Sequence, residues 1–319
     1  MTTLAAVAAR AGVGIGTVSR VLNQHPSVSA RMRLRVETAM EEVGYVRQRR
    51  PRPEPQSGQV GVLVPFFDEP STYQRLRGVV SRLQPHDLNI VLYNVASPGQ
   101  ARDHVARIAP LEQLDALIVI SLPLPTADAQ SLAAARFPTV LLDTSSPYLP
   151  SVGIDDRSGG RMATQHLLDI GHRRIAFVGE PPQNLFGFVS SARRQEGYAS
   201  ALGDAGIALD PTLIRHGAHL RSAARHMTVE LLGLARPPTA IVAASDVQAV
   251  GVIEAAEQLG RRIPDDVSVV GYDDIDLAAL MGITTVRQPL ERSGRRVADL
   301  IVQAIGGSPR TPFVEEMDL

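Results

Sequence analysis

AGVGIGTVSRVLN, residues 11–23, decides how the N-terminal part of this chain is read. Ahead of it, residues 4–11 place apolar and small side chains at helical spacing, and Gly12 stops the pattern. Behind Gly12, residues 17–23 read as a second short helix with Val18, Val21 and Leu22 on one face. QHPSVS, residues 24–29, is a loop. Ser29 is placed to cap a third helix over 30–43, with Val36, Met40 and Val43 inward and Glu37, Glu41 and Glu42 outward. Gly44 ends that helix. Three short helices of this kind make a minimal bundle. What the second helix presents at its start is unusual: Gly14, Ile15 and Gly16.

Outward from the bundle, RQRRPRPEPQSGQ (47–59) alternates Pro51, Pro53 and Pro55. Proline inside a helix loses a hydrogen bond and clashes with the preceding turn, so this stretch is extended and solvated. It marks a domain boundary. From Gln59 on, apolar runs recur: VGVLVP (60–65), NIVLYN (89–94), ALIVIS (116–121), TVLLD (139–143), RIAFVG (174–179), TAIVAAS (239–245) and VSVVGYDD (267–274). Helical patterns separate them. Continuous apolar strands alternating with helices indicate parallel sheets covered on both faces. The strands exceed what one sheet comfortably holds, so two lobes are expected. The division is a headpiece over 1–46, a linker over 47–58 and a two-lobed body over 59–319.

Composition narrows the chemistry. Of 319 residues, 44% are hydrophobic and 20% charged, ordinary values for a globular protein. Trp is absent and aromatics are few, so the cores are aliphatic. With no Cys there are no disulfides, thiolate nucleophiles or cysteine zinc sites, which fits a reducing compartment. With no Lys there is no Schiff-base or Walker-type phosphate chemistry. MTTLAAVAARAG lacks a signal-peptide pattern, and no apolar run reaches the roughly 18 residues of a membrane span. A soluble, cytoplasmic protein without a membrane partner is expected. The net charge of −1 conceals an asymmetry: residues 1–52 carry nine arginines against three glutamates. A basic segment on an acidic body suits a polyanion partner, though a solvated arm reads equally well from charge alone.

Helix, glycine-containing turn and helix at this spacing form a helix-turn-helix, whose second helix enters a DNA major groove. TLAAVAARAGVGIGTVSRVLNQHPSVSARMRLRVETAMEEVGY (3–45) resembles the headpiece of the lactose-repressor family of bacterial transcription regulators. The resemblance continues through VGIDDRSGGRMATQHLLDIGHRRIAFVGE (152–180), SARRQEGYASAL (191–202), ASDVQAVGVIEAAEQLGRRIPDDVSVVGYDDI (244–275) and TTVRQPL (284–290). It implies a small all-α headpiece on an α/β, periplasmic-binding-protein-like body of two doubly wound parallel-sheet lobes. It further implies a homodimeric repressor or activator. Each headpiece would read half of a near-palindromic operator in double-stranded DNA, and a small effector, suited to be a sugar, would bind between the lobes.

On the DNA side, Arg20 is the strongest base reader, because arginine bonds guanine O6 and N7 together. Ile15 suits a thymine methyl, and Thr17, Ser19 and Asn23 can donate to phosphates or base edges. Gly16, with Gly14 at the cap, lets free helix N–H groups approach a phosphate; drift is the bland reading. Thr3, Leu4, Ser29 and Tyr45 match family positions near the DNA backbone. The family's linker helix, with a leucine wedge, is replaced here by prolines, and Glu54 falls where the leucine is expected. Arg47, Arg49, Arg50 and Arg52 then either track phosphates or sit in solvent.

On the effector side, ligands of open α/β sheets bind outside the carboxyl ends of strands. Asp143, Ser245, Asp246 and Asp273 stand at such ends, Gln288 just past TTVRQ, and Arg194 near a helix start. Each matches a family position that touches the effector or shapes its pocket. Carboxylates accepting from hydroxyls, with Arg and Gln donating, suit a polyol. Phe66, Phe67 and Tyr73 are candidates for an apolar wall, as are Phe186 and Phe188. Asp246 reads first as a helix cap, and Asp155 and Asp156 as caps at the lobe junction.

No catalytic residue, cofactor or metal site is expected. GVGIG does not follow a strand, and His216 and His219 read as scattered surface histidines. The C-terminal VEEMDL carries no heptad pattern for tail-mediated tetramers. The rival class is a solute-binding protein of sugar transport, which shares the body but not the headpiece.

Overall fold

The computed structural model describes residues 4–22, 28–43, 57–110 and 113–319, and the chain divides into two compact units, residues 1–52 and 53–319. In the first, α1 (Leu4–Ala11), α2 (Ile15–Leu22) and α3 (Ala30–Glu42) enclose Val7, Ala8, Ala11, Val18, Val21, Val36 and Ala39. Met40 and Val43 pack against this core from outside. Gly12 makes the turn at φ +60, a left-handed conformation that favours glycine. The second helix begins at Ile15, two residues before the sequence pattern suggests. The Gly14 carbonyl accepts from Thr17 N–H at 2.9 Å and Val18 N–H at 3.3 Å, so Gly16 lies inside the helix.

The larger unit opens with β1 (Gln59–Pro65), α4 (Pro70–Leu83), β2 (Asn89–Val95), α5 (Pro98–Ile108), β3 (Ala116–Ile120), α6 (Thr126–Ala133), β4 (Thr139–Leu142) and β5 (Ser151–Gly153). After crossing at 154–155 it builds a second lobe. That lobe comprises α7 (Asp156–Asp169), β6 (Ile175–Gly179), α8 (Ser190–Asp204), β7 (Ile214–His216), α9 (Arg221–Leu232), β8 (Ala240–Ala243), α10 (Asp246–Gln258), β9 (Ser268–Asp273), α11 (Asp276–Met281) and β10 (Thr284–Arg287). It then returns to the first lobe with α12 (Leu290–Ile305) and β11 (Val314–Glu316). The sheets run β11-β5-β4-β3-β1-β2 and β10-β9-β8-β6-β7, and every pairing is parallel.

Alternation along each strand sorts side chains between two cores. Val60, Val62 and Val64 of β1 enter the layer under α4 and α12, whereas Leu63 enters the layer under α5 and α6. β6 does the same in the second lobe: Ala176 and Val178 face one core, Ile175 and Phe177 the other. Central strands are therefore apolar throughout, and the exposed positions fall mainly on the edge strands β2, β7, β10 and β11.

Two helix crossings set the positions of the charged side chains between the lobes. A Cβ on Gly78 of α4 would lie 2.1 Å from the Glu291 carbonyl of α12, and one on Gly294 2.0 Å from the Arg75 carbonyl. In the second lobe, Cβ atoms on Gly160 of α7 and Gly197 of α8 would lie 2.0 Å from the Arg194 and Arg157 carbonyls. Backbones thus touch at both crossings. This brings Arg194 of α8 beside Asp156 of α7, and holds Arg75 of α4 near the return crossing at Gln288.

Candidate functional site

The carboxyl ends of the strands of both lobes face one cleft. There the backbone repeatedly turns left-handed without glycine: Phe66 after β1 (φ 50), Ser121 after β3 (φ 51), Asp143 after β4 (φ 61), and Asp273 and Asp274 at the end of β9 (φ 120 and 58). Such conformations are costly for L-residues and persist where surrounding contacts hold them.

At Ser121, Asp143 and Asp273 those contacts belong to one continuous polar chain on the cleft floor. Ser121 Oγ donates to Asp143 Oδ2 at 2.7 Å. Arg75 Nη2 lies 3.1 Å from Asp143 Oδ1 and donates to Gln288 Oε1 at 2.9 Å. Gln288 Nε2 donates to Asp273 Oδ1 at 2.5 Å, and Arg194 Nη1 lies 3.6 Å from the same oxygen. Arg194 Nε donates to Asp156 Oδ1 at 2.8 Å, its Nη1 to the Ala244 carbonyl at 2.6 Å, and its guanidinium lies 3.7 Å over the Tyr272 ring. Four residues chosen from sequence, Asp143, Arg194, Asp273 and Gln288, meet here. Burial works to lower the pKa of Arg194, but Asp156, Tyr272 and Asp273 outweigh it, so the guanidinium is held above its ordinary value. Burial raises the pKa of Asp273, with Arg194, Arg75 and His219 pulling it back.

The sequence reading requires several corrections. Asp246 does not cap α10; Ser245 does, its hydroxyl accepting from Gln248 N–H at 3.2 Å. Asp246 instead accepts from Ile275 N–H at 3.0 Å and Thr285 Oγ1 at 2.6 Å, pinning the turn after β9, and burial pushes it up to about 7. Both residues spend these bonds on backbone and scaffold. Asp155 caps α7, but Asp156 turns inward to Arg194. Phe67 and Tyr73 are exposed, Tyr73 at 58%, and neither makes a ring contact among the described residues. Phe66 joins the apolar wall. It meets Phe186 edge-on at 5.4 Å and Phe188 at 6.3 Å, and those two stack at 5.1 Å. Asn184 closes the loop that carries them, its amide bonding the Phe188 carbonyl and N–H at 2.7 and 2.9 Å. Phe186 packs against the core of the opposite lobe.

Local sequence assigns no place in the cleft to Arg75, Asp156, Glu69, Glu180 or His219. For Arg75 a signal existed. It lies on the same stripe of α4 as Gly78, Val79 and Leu83, so a charged residue sits on a buried helix face. His219 had no such signal, since its partners come from distant segments. Nor is it a scattered surface histidine: Nε2 is 3.7 Å from Glu69 of the first lobe and Nδ1 3.5 Å from Glu180 of the second. Burial lowers its pKa, but the Glu180 hydrogen bond and the charges of Glu180, Glu69 and Asp273 raise it further, above its ordinary value. Glu69 is itself raised by burial, against the pull of His219 and with repulsion from Asp68, Asp273 and Glu180.

A folded-state pKa above the unfolded one gives a stabilisation complete below the ordinary imidazole value of about 6.5 and lost as pH rises through the raised value. Thermal melting of wild type and His219→Gln from about pH 5.5 to about pH 9 should therefore show a wild-type advantage at the acid end only. An advantage of equal size at every pH would mean that the imidazolium charge contributes nothing.

In the smaller unit, Ile15 is 54% exposed at the start of α2. A Cβ on Gly14 or Gly16 would meet nothing within 4 Å among the described residues, so packing against those residues does not require glycine there. Thr17 is half-buried, and Ser29 Oγ accepts from Met32 N–H at 3.3 Å, capping α3. Thr3, Asn23, Tyr45, Arg47, Arg49, Arg50, Arg52 and Glu54, with the side chains of Leu4, Ser19 and Arg20, lie outside the described residues. Among the described residues, no helix is long and apolar enough to cross a membrane, and no group of three metal-ligating side chains occurs.

A three-helix unit with a helix-turn-helix, and a larger unit with a polar cleft between two parallel-sheet lobes, place the chain among helix-turn-helix proteins carrying a periplasmic-binding-protein-like body. Residues 3–48 match the family of bacterial regulatory proteins, lacI family, and residues 164–317 the periplasmic binding protein-like domain. The chain is 36% identical to the HTH-type transcriptional regulator CelR of Thermobifida fusca, over 97% of this chain and 94% of that one. It is 30% identical to the HTH-type transcriptional repressor CytR of Escherichia coli K12, over 96% and 90%. Among solved structures it resembles a CelR–cellobiose complex, at TM-score 0.71 and 34% identity over 99% and 97% of the two chains. It also resembles the lac repressor dimer bound to operator and the anti-inducer ONPF, at TM-score 0.70 and 28% identity over 99% and 96%. The chain belongs to the lacI family of bacterial transcriptional regulators.

Proposed function

We propose that this regulator is a cytoplasmic homodimeric repressor controlled by a sugar bound in the cleft between its lobes. Headpiece 1–46 reads half of a near-palindromic operator, linker 47–58 joins it to the body, and body 59–319 holds the effector and the dimer contact. The observation that carries the effector reading is the polar chain from Ser121 to Asp156, which runs through both lobes and leaves carboxylates and guanidiniums at the strand ends. A ligand whose hydroxyls replace some of these partners changes how the lobes are tied. The CelR–cellobiose complex supports a sugar as that ligand. No catalytic role is assigned to any residue of the cleft.

The test is selection of bound duplexes from a random pool at one near-physiological salt concentration, since phosphate contacts are salt-sensitive. An enriched palindrome is expected. Arg20→Ala should then relax a guanine in each half-site by about 1–3 kcal/mol while the other positions keep their preference. Enrichment of an unrelated, non-palindromic sequence would reject the dimeric reading. Uniform weakening by Arg20→Ala would make Arg20 a phosphate contact instead.

A further inference from the structure

We propose that Arg75 determines the specificity of the cleft, reserving its floor for a neutral hydroxylated ring and excluding amino-substituted and acidic analogues. This rests on the cleft being the effector site. Arg75 is 4% exposed, on α4 of the first lobe. Its Nη2 serves two acceptors, Asp143 Oδ1 and Gln288 Oε1, one after strand β4 and one at the return crossing between lobes. Its Nε is buried without a hydrogen-bond partner. A buried donor left unmade is unfavourable, and an incoming acceptor oxygen relieves it.

The neighbours define what that oxygen belongs to. Asp143 and Asp273 each already accept, from Ser121 and Gln288, and retain further lone pairs. A hydroxyl matches this set chemically, because it both accepts from the guanidinium and donates to a carboxylate. An ammonium cannot accept, so it leaves the Arg75 Nε donor unmade. A carboxylate cannot donate, and it places a third anion beside Asp143 and Asp273. Arg194, the other guanidinium of the floor, has Nε and Nη1 committed to Asp156 and the Ala244 carbonyl. Arg75, unlike Arg194, has a buried N–H without a partner, so discrimination at this end of the floor falls to it.

The experiment is calorimetric titration of the full-length wild type, Arg75→Leu and Arg75→Gln with matched probes. These are glucose, galactose and cellobiose, glucosamine and galactosamine, and glucuronate and galacturonate. Wild type should bind at least one neutral sugar and reject its amino and acid counterparts. Arg75→Leu should lose tenfold or more in affinity for that sugar and most of the discrimination. Arg75→Gln, which keeps a donor for one of the two acceptors and guards against a folding defect, should fall between. If wild type binds a neutral sugar and both variants match it within twofold, the assignment to Arg75 fails and the sugar reading stands. If wild type prefers an amino or acidic probe, the assignment fails likewise. If wild type binds none, the sugar reading fails and this inference with it.

Discussion

Replacing Arg194 by Met should destabilise the protein by about 3–5 kcal/mol and abolish its response to effector. The magnitude follows from what remains. Asp156 and Asp273 are both buried, and both depend on this guanidinium for their nearest opposite charge on the second lobe. The Ala244 carbonyl also loses its 2.6 Å donor, and Tyr272 the cation over its ring. Breaking a buried pair by removing one partner leaves an uncompensated charge, which costs more than the intact pair contributes. Denaturant unfolding near neutral pH measures the loss. Pairing Arg194→Met with Asp156→Leu should recover part of it, since an apolar pair of similar volume avoids the stranded charge. A loss below about 1 kcal/mol in the single variant would show that solvent reaches the site.

The second large effect concerns a residue with no side chain. Gly160→Ala puts a methyl group 2.0 Å from the Arg194 carbonyl oxygen and 2.6 Å from its Cα. Both are backbone atoms of α8, so no rotamer change relieves the clash and the helices must separate. Overpacking of this kind typically costs about 1–3 kcal/mol, and a backbone-on-backbone contact belongs at or above the upper end. The displaced α8 also carries Arg194 away from Asp156, so effector affinity should fall with stability. Gly203→Ala is the control. It lies on α8, the helix that Gly160 of α7 packs against, a Cβ there meets nothing within 4 Å among the described residues, and the exchange should be neutral or stabilising by up to about 1 kcal/mol. Equal melting temperatures for the two variants would contradict the crossing geometry.

The glycines illustrate how unevenly the sequence discloses this molecule. Gly12 announces itself as a helix stop, and the structure gives it φ +60. Gly160 and Gly197 sit inside helical patterns, where glycine reads only as a weakness, although they are contact points between helices. The apolar runs mark seven strands, β1, β2, β3, β4, β6, β8 and β9. Strands β5, β7, β10 and β11, of three or four residues and at or next to the sheet edges, left no periodic trace. Their place is set by the sheet they join, not by their own composition.

The candidate cleft divides along the same line. Asp143 and Asp273 are legible because each directly follows or ends an apolar run, and strand ends are where parallel sheets open to ligands. Arg194 and Gln288 came from motif order. What local pattern could not say is which carboxylate faces which way. Adjacent Asp155 and Asp156 differ by one residue, yet one caps a helix in solvent and the other is buried against Arg194. Likewise Ser245, not Asp246, caps α10, while Asp246 turns to the backbone after β9.

By itself, then, the chain determined two things: a three-helix unit with an arginine-rich surround, and a body of parallel strands buried on both faces. Both come from periodicities of a few residues. Only the tertiary structure decided the pairings that make the cleft. Arg75 reaches Gln288 across 213 positions of sequence, and His219 sits between glutamates from two lobes. Charges so far apart in sequence meet because two glycine-lined helix crossings and the chain crossings between lobes bring strand ends face to face, and no local pattern encodes that meeting.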